Sequence, residues 1–173
     1  MKKIFKKLCF ISIIILIIGF LLPEQMVNPV KGAMKHDYNP KSFWAYPWGK
    51  SITHKGVDIF ASKGKEVTAP TNGIVLYAGK GGSLGGNVVL ILGAKWRLHY
   101  FAHLDKVHAG IFDFVTTNSV VGKVGNSGNA KGKPPHLHYS IMTPIPYPWL
   151  YDGKAVQGWL KMFYLNPIKA IER

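Results

Sequence analysis

The chain has 173 residues, 47% hydrophobic and 17% charged, with 22 Lys and Arg against 8 Asp and Glu and a formal net charge of +14. That is enough sequence for one ordinary domain and too apolar a composition for a disordered chain. Lys2, Lys3, Lys6 and Lys7 supply four of the cations, so the rest of the chain is basic in its own right and favours polyanionic partners such as nucleic acid, anionic lipid or wall polymer. The single cysteine, Cys9, excludes an intramolecular disulfide and a cysteine-based zinc site.

Residues 1–7 are basic, and residues 8–22 (LCFISIIILIIGFLL) carry no charge until Pro23 and Glu24 end the run. A basic head before an apolar stretch is an export signal. The positive-inside rule places Lys2–Lys7 in the cytoplasm and everything after Leu22 outside. Fifteen helical residues reach about 22 Å, short of the roughly 30 Å hydrocarbon core, which suits a cleaved signal peptide. No small-x-small site follows closely, however. A cut behind Ala33 would find Lys31 where a small residue is wanted. The balance favours residues 1–22 as a signal-anchor over a cleaved signal peptide, and both put the body beyond the cytoplasmic membrane. Export removes nucleic acid as a partner.

Residues 23–48 hold four prolines and read as a linker running into the domain, with Phe43, Trp44, Tyr46 and Trp48 beginning the packed part. The segment His54-Lys55-Gly56-Val57-Asp58 then places a histidine and a carboxylate four residues apart. On a straight strand they would be separated by about 13 Å, too far to share one ion, so the chain must bend, and Gly56 permits it. A turn entering a strand is expected here, with Val57 and Ile59 on the opposite face. Residues 73–79, 87–93, 96–104 and 120–125 are short β-branched and aromatic runs broken by Gly, Asn and Ser, which predicts an antiparallel sheet. The glycines at 79, 81, 82, 85 and 86 lack phosphate-binding spacing before a helix.

Within the third run, strict alternation would put His99, Phe101 and His103 on one face. His36, His99 and His108 have no further polar context and are expected at the surface. In His136-Leu137-His138-Tyr139-Ser140-Ile141, period-two alternation puts His136, His138 and Ser140 on one face and the apolar residues on the other. Two histidines about 7 Å apart on one strand face let one bind a metal while the other reaches water on it. With His54 and Asp58 this gives three ligands and a spare imidazole, the composition of an open hydrolytic zinc site. Residues 143–173 are irregular and aromatic, and edge packing on the sheet is favoured over a wall of the groove.

These motifs resemble the lysostaphin-type or LytM-type (β-lytic) zinc metallopeptidases from about Gly49 to Met142. The resemblance is carried by His54-x-Gly56-x-Asp58, Ala69-Pro70-x-x-Gly73-x-Val75, Ala102-His103-Leu104, Gly125-Asn126-Ser127-Gly128 and His136-Leu137-His138. It implies one Zn2+ per chain held by His54, Asp58 and His138, with His103 and His136 as catalytic histidines. It also implies a small antiparallel β domain, preceded here by one hydrophobic helix, and cleavage of peptide bonds in peptidoglycan stems or cross-bridges. Phe101 stands where the family usually has tyrosine, with Tyr100 beside it. The expected organisation is a catalytic domain at 49–142, an aromatic extension at 143–173, a monomer, and contacts with peptidoglycan and, through residues 8–22, with the cytoplasmic membrane. The rival from another class is a non-catalytic envelope module of the same fold, which the filled ligand positions disfavour.

Overall fold

A computed structural model describes residues 2–172. Helix α1, Lys2–Leu21, is apolar and long enough to cross a membrane, and Gly19 is its one buried residue. The body is built from strands β1 (Val57–Phe60), β2 (Glu66–Thr68), β3 (Gly73–Lys80), β4 (Asn87–Gly93) and β5 (Leu98–Leu104), followed by β6 (Lys106–Val107), β7 (Phe114–Val115), β8 (Val120–Lys123), β9 (His136–Met142) and β10 (Tyr164–Leu165). Six form an antiparallel sheet in the order β1-β9-β5-β4-β3-β7, with β10 added beside β9. A smaller sheet, β2-β8-β6, supplies Val67 and Val121 to the core against the inner face of the large one.

Register follows from the apolar alternation. Val57 and Ile59 on β1, Leu137, Tyr139 and Ile141 on β9, Phe101 on β5 and Val89 and Ile91 on β4 are all fully buried. A one-residue slip of β9 would exchange these for His136, His138 and Ser140, at about 1.5–3 kcal/mol for each large apolar side chain exposed. The pairing therefore places Asp58 opposite His138 on the outer face, and Ala102 opposite His138 from the other side.

Three expectations fail, each for a local reason. His99 is not at the surface: it is fully buried, with Nδ1 2.8 Å from the Tyr139 hydroxyl. It points inward because β5 keeps strict alternation there. His36 and His108 are exposed, as expected. His103 does not share the face of His99 and Phe101. Its φ of 64° is left-handed, which turns the imidazole onto the Tyr100–Ala102 side. Finally, packing begins before the aromatic group at 43–48. Val30 is fully buried and bridged to Val67, Tyr38 is bridged to Ile59, and the Val27 N–H donates to the Pro70 carbonyl at 2.9 Å.

Burial drives the His99 imidazole down to about 3 from its ordinary 6.5, with the Arg97 charge adding to it. The unfolded chain therefore binds a proton more readily than the folded one between these values, and stability falls as pH drops from about 6.5 toward 3. Thermal unfolding followed across that range is expected to show the decline, and His99→Gln should flatten it. An equally steep decline in the variant would remove His99 as its cause.

Candidate metal centre and groove

His54 sits on the loop entering β1, where its N–H donates to the Ala45 carbonyl and its own carbonyl accepts from the Trp44 N–H. Trp48 stacks on the imidazole with ring centroids 4.1 Å apart, and only 1% of the side chain is exposed. Nδ1 lies 3.0 Å from the Ser42 carbonyl. A carbonyl only accepts, so Nδ1 donates there and Nε2 is turned into the site.

Nε2 faces Asp58 Oδ1 at 3.1 Å and His138 Nδ1 at 3.0 Å, and the two partners are 2.8 Å apart. His138 Nε2 is 3.0 Å from the Ser140 hydroxyl, two residues along the same strand face. Burial raises the Asp58 carboxyl, but hydrogen bonds and charge from His138 and His54 outweigh it and hold the group well below the usual carboxylate range. Burial lowers the His138 imidazole. A carboxylate and two imidazoles thus converge, an N/O donor set suited to Zn2+. The same three residues are the metal-capable group found among the described residues.

Gly56 makes this convergence possible, though not by a left-handed turn. The chain bends there with no positive φ. What glycine supplies is space: a Cβ would stand 2.5 Å from both the Ser140 Oγ and the Tyr139 carbonyl oxygen.

His136 and His103 lie beside this group with ring centroids 5.1 Å apart, and His103 is 5.9 Å from His138. His136 Nδ1 is 2.8 Å from the Pro134 carbonyl and His103 Nδ1 is 3.0 Å from the Ser127 carbonyl. Both Nδ1 atoms are therefore donors, and in the neutral ring each Nε2 is left to accept from the groove. Burial and the neighbouring charges of His138 and His136 bring His103 down to about 4, so it is neutral near pH 7. The Gly125–Gly128 motif serves this arrangement. Ser127 Oγ donates to the Leu104 carbonyl, and Gly128 lets the backbone approach Gly86, where a Cβ would meet the Gly86 nitrogen at 2.5 Å.

The groove above these residues has a volume of about 680 Å³ and is walled by Trp48, Phe60, Leu84, Tyr100 and Lys133. Among the described residues, none of 143–172 lines it. That segment instead braces the His54 loop, with Gln157 Oε1 accepting from Thr53 Oγ1 at 2.8 Å and Lys55 Nζ at 2.7 Å. Phe101 is buried on the opposite face while Tyr100 reaches the groove, so the departure from tyrosine at 101 changes no groove residue. Ser42, Trp48 and Ser127 join the site through contacts that no local spacing announces, and Ser140, on the face that alternation predicts, adds a hydrogen bond to His138.

Ser140→Ala would free His138 Nε2 and let the ring rotate. Zinc affinity is expected to fall about 10- to 100-fold, measured by competition with a metal indicator. Unchanged affinity would show that β9 alone orients His138.

A β-sheet groove holding a His–Asp–His donor set and two further imidazoles with accepting nitrogens defines a candidate metal-dependent hydrolase. The chain belongs to peptidase family M23, whose model matches residues 52–157. It is 37% identical over 117 residues to the L-Ala–D-Glu endopeptidase of Bacillus subtilis (strain 168), covering 62% of this chain and 36% of that protein. It is 32% identical over 99 residues to lysostaphin of Staphylococcus simulans, covering 56% and 20%. The chain thus spans about a third or less of these relatives. Among solved structures, the catalytic domain of the antimicrobial peptidase lysostaphin from Staphylococcus simulans aligns with a TM-score of 0.59 at 24% identity, over 74% of this chain and 86% of that one. A zinc containing peptidase from Vibrio cholerae aligns with a TM-score of 0.55 at 24% identity, over 68% and 37%. The lysostaphin-like fold expected from the motifs is the one observed.

Proposed function

We infer that this chain is a zinc metalloendopeptidase that cleaves peptide bonds in peptidoglycan stems or cross-bridges. The observation that carries the reading is the convergence of His54 Nε2, Asp58 Oδ1 and His138 Nδ1 within 3.1 Å of one another, at the floor of an open groove. Those three residues would hold one Zn2+. When bound, zinc supplies Lewis acidity, polarising a carbonyl and bringing the pKa of water toward neutrality.

The remaining chemistry belongs to His103 and His136. Each has an accepting Nε2 toward the groove, so either can take the proton of the attacking water as general base. The imidazolium that forms has both nitrogens as donors. Its Nδ1–H remains on a backbone carbonyl, and its Nε2–H can bond the developing oxyanion and then pass the proton to the leaving amine. Trp48, Phe60, Leu84 and Tyr100 give the groove apolar walls for an extended peptide, and its volume suits a short segment of one. The basic body favours an anionic envelope. Helix α1 is read as a membrane anchor that holds the enzyme, as a monomer, outside the cytoplasmic membrane.

The test uses the detergent-solubilised full chain on purified peptidoglycan, with released amino groups quantified and fragments weighed by mass spectrometry. Release should stop with a chelator and return with zinc. Chelator-resistant release would sink the zinc scheme. A zinc-free protein that binds wall without cutting it would be the non-catalytic module instead.

A further inference from the structure

We propose that the catalytic body is clamped directly to the outer end of its own membrane helix, with Trp96 seated at the boundary between phospholipid headgroups and acyl chains, and not hung on a flexible tether. The proposal rests on reading α1 as an anchor.

Only Leu22 and Pro23 separate the helix from Glu24, so Leu21 and Glu24 lie at most about 11 Å apart along the chain. Glu24 is already part of the body. Its side chain is 4% exposed and pairs with the guanidinium of Arg97, on the β4–β5 hairpin, with His99 Nε2 3.8 Å from its other oxygen. From there the chain runs straight into the core, through Val27 on Pro70 and Val30 on Val67. No residues are left over for a tether.

The same hairpin grips the helix from its side. Trp96 Nε1 donates to the Leu16 carbonyl at 2.9 Å. A Cβ on Gly19 would stand 2.3 Å from the indole, so only glycine lets Trp96 lie against the helix. Glycine inside a helix is destabilising relative to alanine, and this contact accounts for its presence. Both Lys95 and Trp96 have left-handed φ, 59° and 58°, so the tip accepts backbone strain to present the ring.

The depth of the contact identifies the occupant. Leu16 lies five residues before Leu21, about 7.5 Å below the outer end of the helix. The headgroup region is roughly 5–7 Å thick on each side, and tryptophan is enriched there. The 15-residue apolar run is about 22 Å long against a core of roughly 30 Å, so the short helix draws its outer end down to headgroup level and takes Trp96 to the boundary between headgroups and acyl chains. Lys95, beside it, suits anionic headgroups. The donor set stands close by. Four residue steps along β5, about 14 Å, lead from Leu98 at the hairpin to Ala102 opposite His138. The substrate class this favours is the peptide of wall strands nearest the membrane.

The full chain is reconstituted into phosphatidylcholine and phosphatidylglycerol vesicles whose acyl chains are partly brominated near the headgroup. Brominated lipid is expected to quench part of the tryptophan emission, and Trp96→Phe should remove nearly all of that quenchable part. Gly19→Leu, which leaves the catalytic body intact, should do the same by unseating the ring. Chain that stays in the vesicles with quenching unchanged in both variants overturns the clamp but keeps the anchor. Chain released from the vesicles without α1 overturns the anchor reading, and the clamp with it.

Discussion

His138→Ala is expected to lose bound zinc and to lower kcat/KM on a wall peptide by at least about 10³-fold, roughly 4 kcal/mol of transition-state stabilisation. His136→Ala, two residues away on the same strand face, should keep its zinc and still lose about 10²- to 10⁴-fold. The contrast follows from ring orientation. His138 turns Nδ1 toward Asp58 and His54, at 2.8 and 3.0 Å. His136 spends its Nδ1–H on the Pro134 carbonyl and keeps Nε2 for the groove. Removing the first takes a ligand from the set. Removing the second takes away a proton carrier and leaves the donor set as it was. Metal content by atomic absorption, measured beside steady-state rates, separates the two. Zinc retained in His138→Ala and lost in His136→Ala would invert the roles.

The parts of this site that local periodicity controls were legible in the sequence. Alternation along 136–141 put His136, His138 and Ser140 on one face because burying Leu137, Tyr139 and Ile141 fixes the register. The same rule misled on β5. One left-handed residue, His103, breaks the alternation at the candidate site, and alternation cannot report a φ. The bend expected at Gly56 is present, but the close approach to β9 that also requires glycine there was not legible. A glycine needed for close approach to β9 looks the same in sequence as one needed for a turn. Ser42, Trp48 and Ser127 act over separations set by tertiary closure of loops, and no spacing announces them. Glu24 ended the apolar run in the sequence. Only the fold shows it to be a buried ion-pair partner of Arg97.

A chain beginning at Met34, as cleavage behind Ala33 would leave it, is expected not to hold its native fold, whereas one beginning at Pro23 should unfold cooperatively. The truncation deletes fully buried Val30, worth about 1.5–3 kcal/mol. It removes the Pro29 and Pro70 carbonyl contacts that tie this segment to β2 and its flank, and the Thr68 N–H loses its acceptor, at roughly 1–3 kcal/mol for an unsatisfied buried group. It also strips Glu24 from Arg97 and leaves a guanidinium 17% exposed without its carboxylate. Breaking a buried pair from one side costs about 3–5 kcal/mol, and the residual exposure of Arg97 places this case at the lower end. Against a total stability of about 5–15 kcal/mol, losses of this size are comparable with the whole. Circular dichroism melts of the two chains give the comparison. Equal melting temperatures would show that residues 23–33 are dispensable. If the shorter chain fails to fold, cleavage behind Ala33 would destroy the domain it released. Release at that position would then be excluded by the way the core is built, independently of how well a signal peptidase reads the sequence.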